Sequence, residues 1–196
     1  MPASTQPRVV ILNGGSSAGK TTLATAFRDQ RSAVGDFWLV TAIDDVLAKL
    51  PANWQEAGSE RGAFASDGVR FETTERGLEV RVGSVGRQLF RAYQAGAAAA
   101  ARAGLNVIVD DVMIDRVHLD GWFHELSGLD VVWVGVRCSA DVAGERERRR
   151  RPTRYSGLAR AQADLVHRHM EYDFELDTTI RTPDEVLADL VRGLGY

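Results

Sequence analysis

A glycine-rich segment near the N-terminus has the residue types and the spacing of a phosphate-binding loop. It matches the pattern G-x-x-x-x-G-K-[ST] at every fixed position. Glycines let backbone N–H groups approach phosphate oxygens where a Cβ would obstruct them, and Lys20 can neutralise the β- and γ-phosphates. We therefore predict binding of a nucleoside triphosphate. The expected binding residues are Gly14, Gly15, Ser16, Ser17, Ala18, Gly19, Lys20, Thr21 and Thr22.

Two pairs of aspartates follow apolar, strand-like runs. Asp44 and Asp45 form the first pair, and Asp110 and Asp111 form the second. A carboxylate at such a strand end can reach Mg²⁺ directly or through water, so Asp110 is expected to bind the metal together with the hydroxyl of Thr21. Asp44 is expected at the ligand crevice, where strands of an open α/β sheet end. Each aspartate could instead cap a helix, and spacing does not separate the members of a pair.

Six arginines lie close together before and after a proline in the C-terminal half. They are Arg146, Arg148, Arg149, Arg150, Arg151 and Arg154. Phosphoryl transfer spreads negative charge over the γ-phosphate oxygens, and a segment that bears arginines can close over it. The pattern predicts an arginine-rich lid at 145–157. A solvated basic face or an RNA-binding patch is the alternative.

Strand-like runs alternate with helical ones along the chain. Strands are predicted at 9–12, 37–43, 106–109, 130–136 and 174–176, and helices at 20–29, 82–103 and 183–194. Near-continuous apolar strands separated by helices indicate an α/β fold with a parallel sheet covered on both faces. We expect a flexible tail at 1–8, a single domain at 9–196, and a loop or small insert beginning at Asn53.

The composition is that of an ordinary globular enzyme. The chain has 196 residues and a net charge of −3, which argues against a general nucleic-acid-binding protein. It lacks an apolar run of 18 residues and an N-terminal signal segment, so we expect no membrane span and a cytoplasmic location. Cys138 is expected to be a packed structural thiol. His118 and His124 lie in a surface-like segment and are assigned no role.

Two other classes of P-loop protein do not fit the sequence. A regulatory GTPase would need an Asn-Lys-x-Asp motif, and none of Asn13, Asn53 and Asn106 begins one. An ABC-type ATPase would need its signature sequence, which 126–130 matches in only three letters. A small-molecule kinase needs a phosphate-binding loop, a lid and a carboxylate that faces an acceptor hydroxyl, and all three are predicted here.

Several further strings resemble the chloramphenicol phosphotransferase family. They are Asn13–Lys20, Ile43-Asp44 before Leu50-Pro51, Ala101–Gly104 before Val107–Val112, Trp133–Cys138, Val166-His167, Glu171–Asp173 and Asp177–Thr179. The resemblance extends from about Arg8 to Thr179. It implies a nucleotide-kinase-like fold and an ATP- and Mg²⁺-dependent kinase that phosphorylates a hydroxyl group of a small antibiotic-like molecule, such as the 3-hydroxyl of chloramphenicol.

The resemblance also implies roles for individual residues. Asp44 is the catalytic base, Lys20 contacts the phosphates, and Arg150 and Arg154 match the lid arginines. The lid contains one extra residue, so Arg151 could take either role.

The segment 53–81, which lies beside the acceptor in this family, is longer here and different in sequence. The acceptor could therefore be another antibiotic, a nucleoside, a sugar or a nucleotide sugar. A nucleotide-binding regulator with little turnover is the alternative from another class. The sequence does not specify the oligomeric state.

Overall fold

The computed structural model describes residues 8–57, 60–74, 77–150 and 157–196. Residues 1–7 of the predicted tail at 1–8 lie outside the described residues, as do the lid arginines Arg151 and Arg154, whereas Arg8 begins the first strand. In chain order the strands are β1 (Arg8–Asn13), β2 (Trp38–Ala42), β3 (Glu56–Ala57), β4 (Glu60–Arg61), β5 (Val69–Thr74), β6 (Gly77–Val82), β7 (Asn106–Asp111), β8 (Asp130–Arg137) and β9 (Phe174–Asp177). The α-helices are α1 (Lys20–Ser32), α2 (Ile43–Leu47), α3 (Ser84–Arg102), α4 (Arg116–Glu125), α5 (Ala140–Arg149), α6 (Leu158–Leu165) and α7 (Pro183–Gly193).

The central sheet has five parallel strands in the order β2–β7–β1–β8–β9. Residues 9–12 of the central strand β1 are fully buried because the sheet is covered on both faces. Val10 and Leu12 pack in the cluster that contains Phe27 of α1, and Val9 and Ile11 pack in the cluster that contains α3. This alternation follows the two-residue period of a strand. The predicted α/β fold with a parallel sheet is confirmed.

Two differences from the predicted bounds change where the aspartates lie. The second strand ends at Ala42, and Ile43 opens α2, so Asp44 lies in the first turn of a helix and not at a strand end. Asp44 and Asp45 stabilise the first turn of α2, because the N-terminus of a helix carries partial positive charge. The strand β7 continues through Asp111, because Asn13 of β1 pairs with Asp111, while the ladder with β2 ends at Asp110.

The segment beginning at Asn53 was predicted as a loop or small insert, and the loop alternative is wrong for much of it because strands form there. A short 3-10 helix spans Ala52–Trp54, and β3–β4 and β5–β6 form two antiparallel pairs. In the second pair Phe71 lies opposite Val80. The remaining predicted elements differ from the observed bounds by no more than three residues. At the start of α7, Thr182 and Glu185 form a capping box.

Candidate functional site

The segment between β1 and α1 turns sharply enough for its backbone to face an anion. Gly19, which precedes α1, has a φ of 96°. A Cβ on Gly14 would lie 2.4 Å from the carbonyl oxygen of Val136, so this position excludes a larger side chain. Glycine accepts both constraints without strain. The loop leads into the N-terminus of a 13-residue helix, and this arrangement fits a phosphate group.

Lys20 and Thr21 meet Asp110 at the carboxyl edge of the sheet. Nζ of Lys20 donates to the carbonyl oxygen of Gly15 at 3.0 Å and lies 3.6 Å from Oδ1 of Asp110. Oγ1 of Thr21 donates to Oδ2 of the same carboxylate at 2.5 Å. A hydroxyl and a carboxylate oxygen are ligands that Mg²⁺ prefers. Thr21 and Asp110 therefore fit this metal, while Lys20 is held beside it as a buried cation.

Asp44 lies across a cleft from this group. The cleft has a volume of about 430 Å³ and is lined by Lys20, Thr21, Asp44 and Asp110, whereas Asp45 is not among its lining residues. Asp44 keeps an exposed surface within the cleft, but surrounding protein replaces much of its water. This burial raises the pKa of the carboxyl group, Asp110 and Asp111 add to the shift, and Lys20 opposes it.

The second aspartate pair is divided between the cleft and the core. Asp111 is fully buried and accepts hydrogen bonds from Nε2 of His118 at 2.9 Å, Nε1 of Trp122 at 2.5 Å and the Val112 N–H at 2.6 Å. The side chain of His118 is also fully buried, so the expectation of a surface position was wrong. The spacing of His118 and Trp122 on one helix face, four residues apart, was the signal for this arrangement.

Arg146 and Arg150 of the arginine cluster have different surroundings. Arg146 lies within α5 and donates to the carbonyl oxygen and the Oγ1 of Thr178, at 2.6 and 3.1 Å. Thr178 in turn donates to the carbonyl oxygen of Ala18 at 2.8 Å, so Arg146 supports the loop indirectly. Arg150 lies beyond the end of α5, has an extended backbone, and lines the cleft.

A second cavity of about 370 Å³ lies on the other side of the phosphate-binding loop. Thr22 of the predicted set lines it, and so does Arg150, which therefore stands between the two cavities. The walls of this second cavity include apolar side chains from α1 and α7 and a basic side chain before α7. This combination suits a planar base beside a phosphate chain. These wall residues are Leu23, Ala26, Val186, Pro183 and Arg181.

Two further residues near the loop were missed by sequence reasoning. Gln162 of α6 is buried, and its Oε1 accepts a hydrogen bond from the Ser16 N–H at 2.9 Å. Glu147 of α5 is buried and accepts from the backbone N–H groups of Gly157 and Ala159, at 2.6 and 3.0 Å. Glu147 thus joins α5 to the start of α6. Neither residue belongs to a pattern that marks such a role in the sequence.

The far end of the cleft has a largely apolar wall. The segment 53–81 supplies Val69, Phe71 and Val80 to this wall, with Gln55 as a polar contribution. The apolar lining residues are Ile43, Leu47, Ala48, Val69, Phe71, Val80, Phe90, Val112, Ile114 and Leu158. Within the described ranges, none of the helices is long and apolar enough to cross a membrane.

Comparisons with known proteins identify relatives over nearly the whole chain. The model of the family described as "Chloramphenicol phosphotransferase-like protein" matches residues 7–194. A Mycobacterium tuberculosis protein named "Putative O-phosphotransferase" is 34% identical over 199 residues, covering 97% of this chain and 83% of that protein.

Solved structures with similar folds are kinases at low sequence identity. The M. tuberculosis APS kinase in complex with AMPPNP and APS has a TM-score of 0.65 at 17% identity and covers 98% of this chain and 100% of that one. A gluconokinase from Sinorhizobium meliloti has a TM-score of 0.61 at 17% identity and covers 98% and 93%. These similarities show that the chain shares the fold of these two kinases.

Proposed function

Because the chain belongs to the chloramphenicol phosphotransferase-like family, we propose that it is an ATP-dependent kinase that phosphorylates a hydroxyl group of a small, neutral molecule. One observation carries this proposal. The same cleft is lined by Lys20 and Arg150, which suit a transferred phosphoryl group, and by Asp44, which suits the hydroxyl that receives it. A site that only bound a nucleotide would have no use for a carboxylate opposite the phosphates.

Different residues of the loop and the lid bind different parts of ATP. Backbone N–H groups of residues 14–22 bind the phosphates, and the second cavity takes the base. Lys20 and the lid arginines, Arg150 and Arg154, neutralise the group in transfer. Mg²⁺, when held by Thr21 and Asp110, supplies further neutralisation of phosphate charge.

The reaction joins the acceptor to the terminal phosphate. The acceptor oxygen forms a bond to the γ-phosphorus, the bond from that phosphorus to the β–γ bridging oxygen breaks, and ADP leaves. The hydroxyl proton passes to the Asp44 carboxylate, whose raised pKa makes it a stronger base than an ordinary aspartate. The transition state is loose, so positioning by loop and lid provides much of the rate.

The lining of the cleft supports a neutral acceptor. Of the described residues that line it, Lys20 and Arg150 carry a full positive charge, and both are assigned to the phosphates. An anionic group on the acceptor would find no cation among the described residues of the apolar wall, and burying an unpaired charge there would be costly. Chloramphenicol, other neutral antibiotics, nucleosides and sugars remain the candidate acceptors.

The test is a search for a phosphorylated product. The protein is incubated with MgATP and a panel of hydroxylated molecules that includes chloramphenicol, neutral sugars and nucleosides, and matched acidic compounds such as sugar acids. Mass spectrometry should detect a phosphate adduct of a neutral member. An adduct of the acidic members alone would contradict the assignment of a neutral acceptor, and ADP release with every acceptor unmodified would favour a regulator or an idle ATPase.

A further inference from the structure

Phe90 of α3 and His118 of α4 form a partition between two cavities. On one side is the cleft of about 430 Å³, and on the other is a pocket of about 230 Å³ between α3 and α4. The two rings have centroids 4.9 Å apart and are inclined at 46°. They are the two residues that line both cavities, so the pocket lies directly behind the wall against which an acceptor would bind.

The hydrogen bonds around Asp111 fix the tautomer of His118. The carboxylate of Asp111 faces the Trp122 indole N–H, the Val112 backbone N–H and Nε2 of His118. A carboxylate can only accept, so Nε2 of the neutral imidazole carries the hydrogen. Nδ1 of His118 then presents a lone pair, which can accept a hydrogen bond.

That lone pair has no hydrogen-bond partner in the described part of the chain, although the atom is buried. The neighbouring polar groups are engaged elsewhere: Asp115 accepts from the backbone N–H of His118 at 2.9 Å, and Gln94 donates to its carbonyl oxygen at 2.9 Å. Arg87 is bound to Asp115. A buried acceptor without a donor is unfavourable and rare in native proteins, so a missing partner is expected.

We propose that the acceptor cleft continues past Phe90 into this pocket, and that Nδ1 of His118 accepts a hydrogen bond from the bound acceptor. Rotation of the Phe90 side chain would open the partition and uncover Nδ1. The acceptor then has two donor groups: the hydroxyl that is phosphorylated near Asp44, and a second hydroxyl or N–H group that reaches His118. This inference rests on the proposed kinase function and adds a subsite to it.

Kinetics with two isosteric variants test the role of Nδ1. His118→Gln keeps an N–H at the position of Nε2 for Asp111 and removes the acceptor at Nδ1. With any acceptor that the panel identifies, KM for that acceptor should rise roughly two- to tenfold, as for one lost neutral hydrogen bond, while kcat and KM for ATP stay unchanged. His118→Asn puts an amide oxygen near Nδ1 and should recover part of the loss. An unchanged KM for the acceptor in His118→Gln would overturn the subsite. A kcat that changes equally in both variants would also overturn it.

A second measurement does not depend on activity. Ring-¹⁵N-labelled histidine gives a separate Nδ1 signal for His118, assigned by its loss in His118→Gln. Phenol, as a neutral ring with one donor, should shift this signal in a saturable way, and toluene, which has the same shape and no donor, should not. A signal that does not respond to phenol would overturn the subsite. A response to phenol without any phosphorylated acceptor would leave the subsite standing and contradict the kinase function.

Discussion

Asp44 and Asp45 are adjacent in the chain but have different surroundings. Asp44 lines the cleft opposite Lys20, and its pKa is raised first by burial and then by the charges of Asp110 and Asp111. Asp45 is exposed and lines neither the cleft nor the second cavity. We propose that only Asp44 can receive a proton from a hydroxyl group bound in the cleft.

Asp44→Asn separates catalysis from the stabilisation of α2. Asparagine keeps the size of the side chain, and the loss of one negative charge from the first turn of α2 costs about 0.3–1 kcal/mol, so the fold should be retained and MgATP affinity should stay near wild type. Turnover should fall by about 10²- to 10⁴-fold, the usual contribution of a general base. The measurement is kcat with a verified acceptor, with thermal unfolding as a check on the fold.

Asp45→Asn is the matched control and should retain near-normal turnover. If Asp45→Asn loses activity while Asp44→Asn keeps it, the other carboxylate is the base. If both keep it, positioning by the loop and the lid carries the reaction without a base.

At the scale of the element, the end of α5 gives Arg146 and Arg150 different surroundings. Helical spacing places Arg146 and Arg150 on one face, but α5 ends at Arg149. Within the helix, Arg146 donates to the carbonyl oxygen of Thr178. Beyond the end of the helix, Arg150 lines both cavities. Glu147 near the end of α5 accepts hydrogen bonds from the backbone N–H groups of Gly157 and Ala159, so it holds the end of α5 close to the start of α6.

Arg150→Ala should lower turnover far more than it weakens ATP binding. Guanidinium contacts strengthen as charge develops on the transferred group, and a transition-state arginine can supply about 10³-fold or more. We expect the same of Arg154→Ala. The measurements are kcat and the dissociation constant of ATP for each variant.

Arg148→Ala is the control from the same cluster, since Arg148 is exposed and lines neither cavity. Turnover of all three variants near that of the wild type would mean that the cluster is a solvated basic face.

At the scale of the whole molecule, a buried polar network joins the sheet to the segment after α6. Asn13, at the end of β1, donates to the hydroxyl of Tyr172 at 2.7 Å, and that hydroxyl lies 2.6 Å from Nδ1 of His167. Asn13 also accepts from the backbone N–H of Met113 at 2.9 Å. Burial, aided by Arg137, lowers the pKa of His167 to about 4. The network holds the strand that carries the phosphate-binding loop.

The stability of the protein should depend on pH through His167. Its pKa is about 4 in the folded state and about 6.5 in an unfolded chain, so between these values the unfolded state binds more protons. The free energy of unfolding should therefore be independent of this group above about pH 6.5 and should decrease as the pH falls from there toward 4. Denaturant unfolding at a series of pH values measures the slope.

His167→Asn keeps a polar atom for Tyr172 and removes the titrating ring, so it should flatten this slope. His169→Asn is the control, because His169 is exposed, and it should retain the wild-type slope. Identical slopes in the wild type and both variants would show that His167 is not responsible.

The sequence predicted the fold better than the surroundings of individual side chains. Apolar strands and the phosphate-binding pattern are local signals, and both were sufficient to predict the parallel sheet and the loop. The role of Arg146 depends on Thr178, which is 32 residues away. Contacts between distant residues leave no periodicity in the chain. The strands of segment 53–81 were predicted only as a loop or small insert, because short hairpins that pack on other elements carry little local signal.

The central claim is that the terminal phosphate of ATP passes to an organic hydroxyl, and the position of a label tests it most directly. The protein is mixed with ATP labelled in the γ-phosphate, Mg²⁺ and the panel of neutral acceptors, and the label is followed in a single turnover. We expect it in a phosphorylated acceptor with the wild type and with Lys49→Ala, and we expect it to remain in ATP with Lys20→Ala. Label that appears only in inorganic phosphate, or that is transferred equally well by Lys20→Ala, would contradict the account.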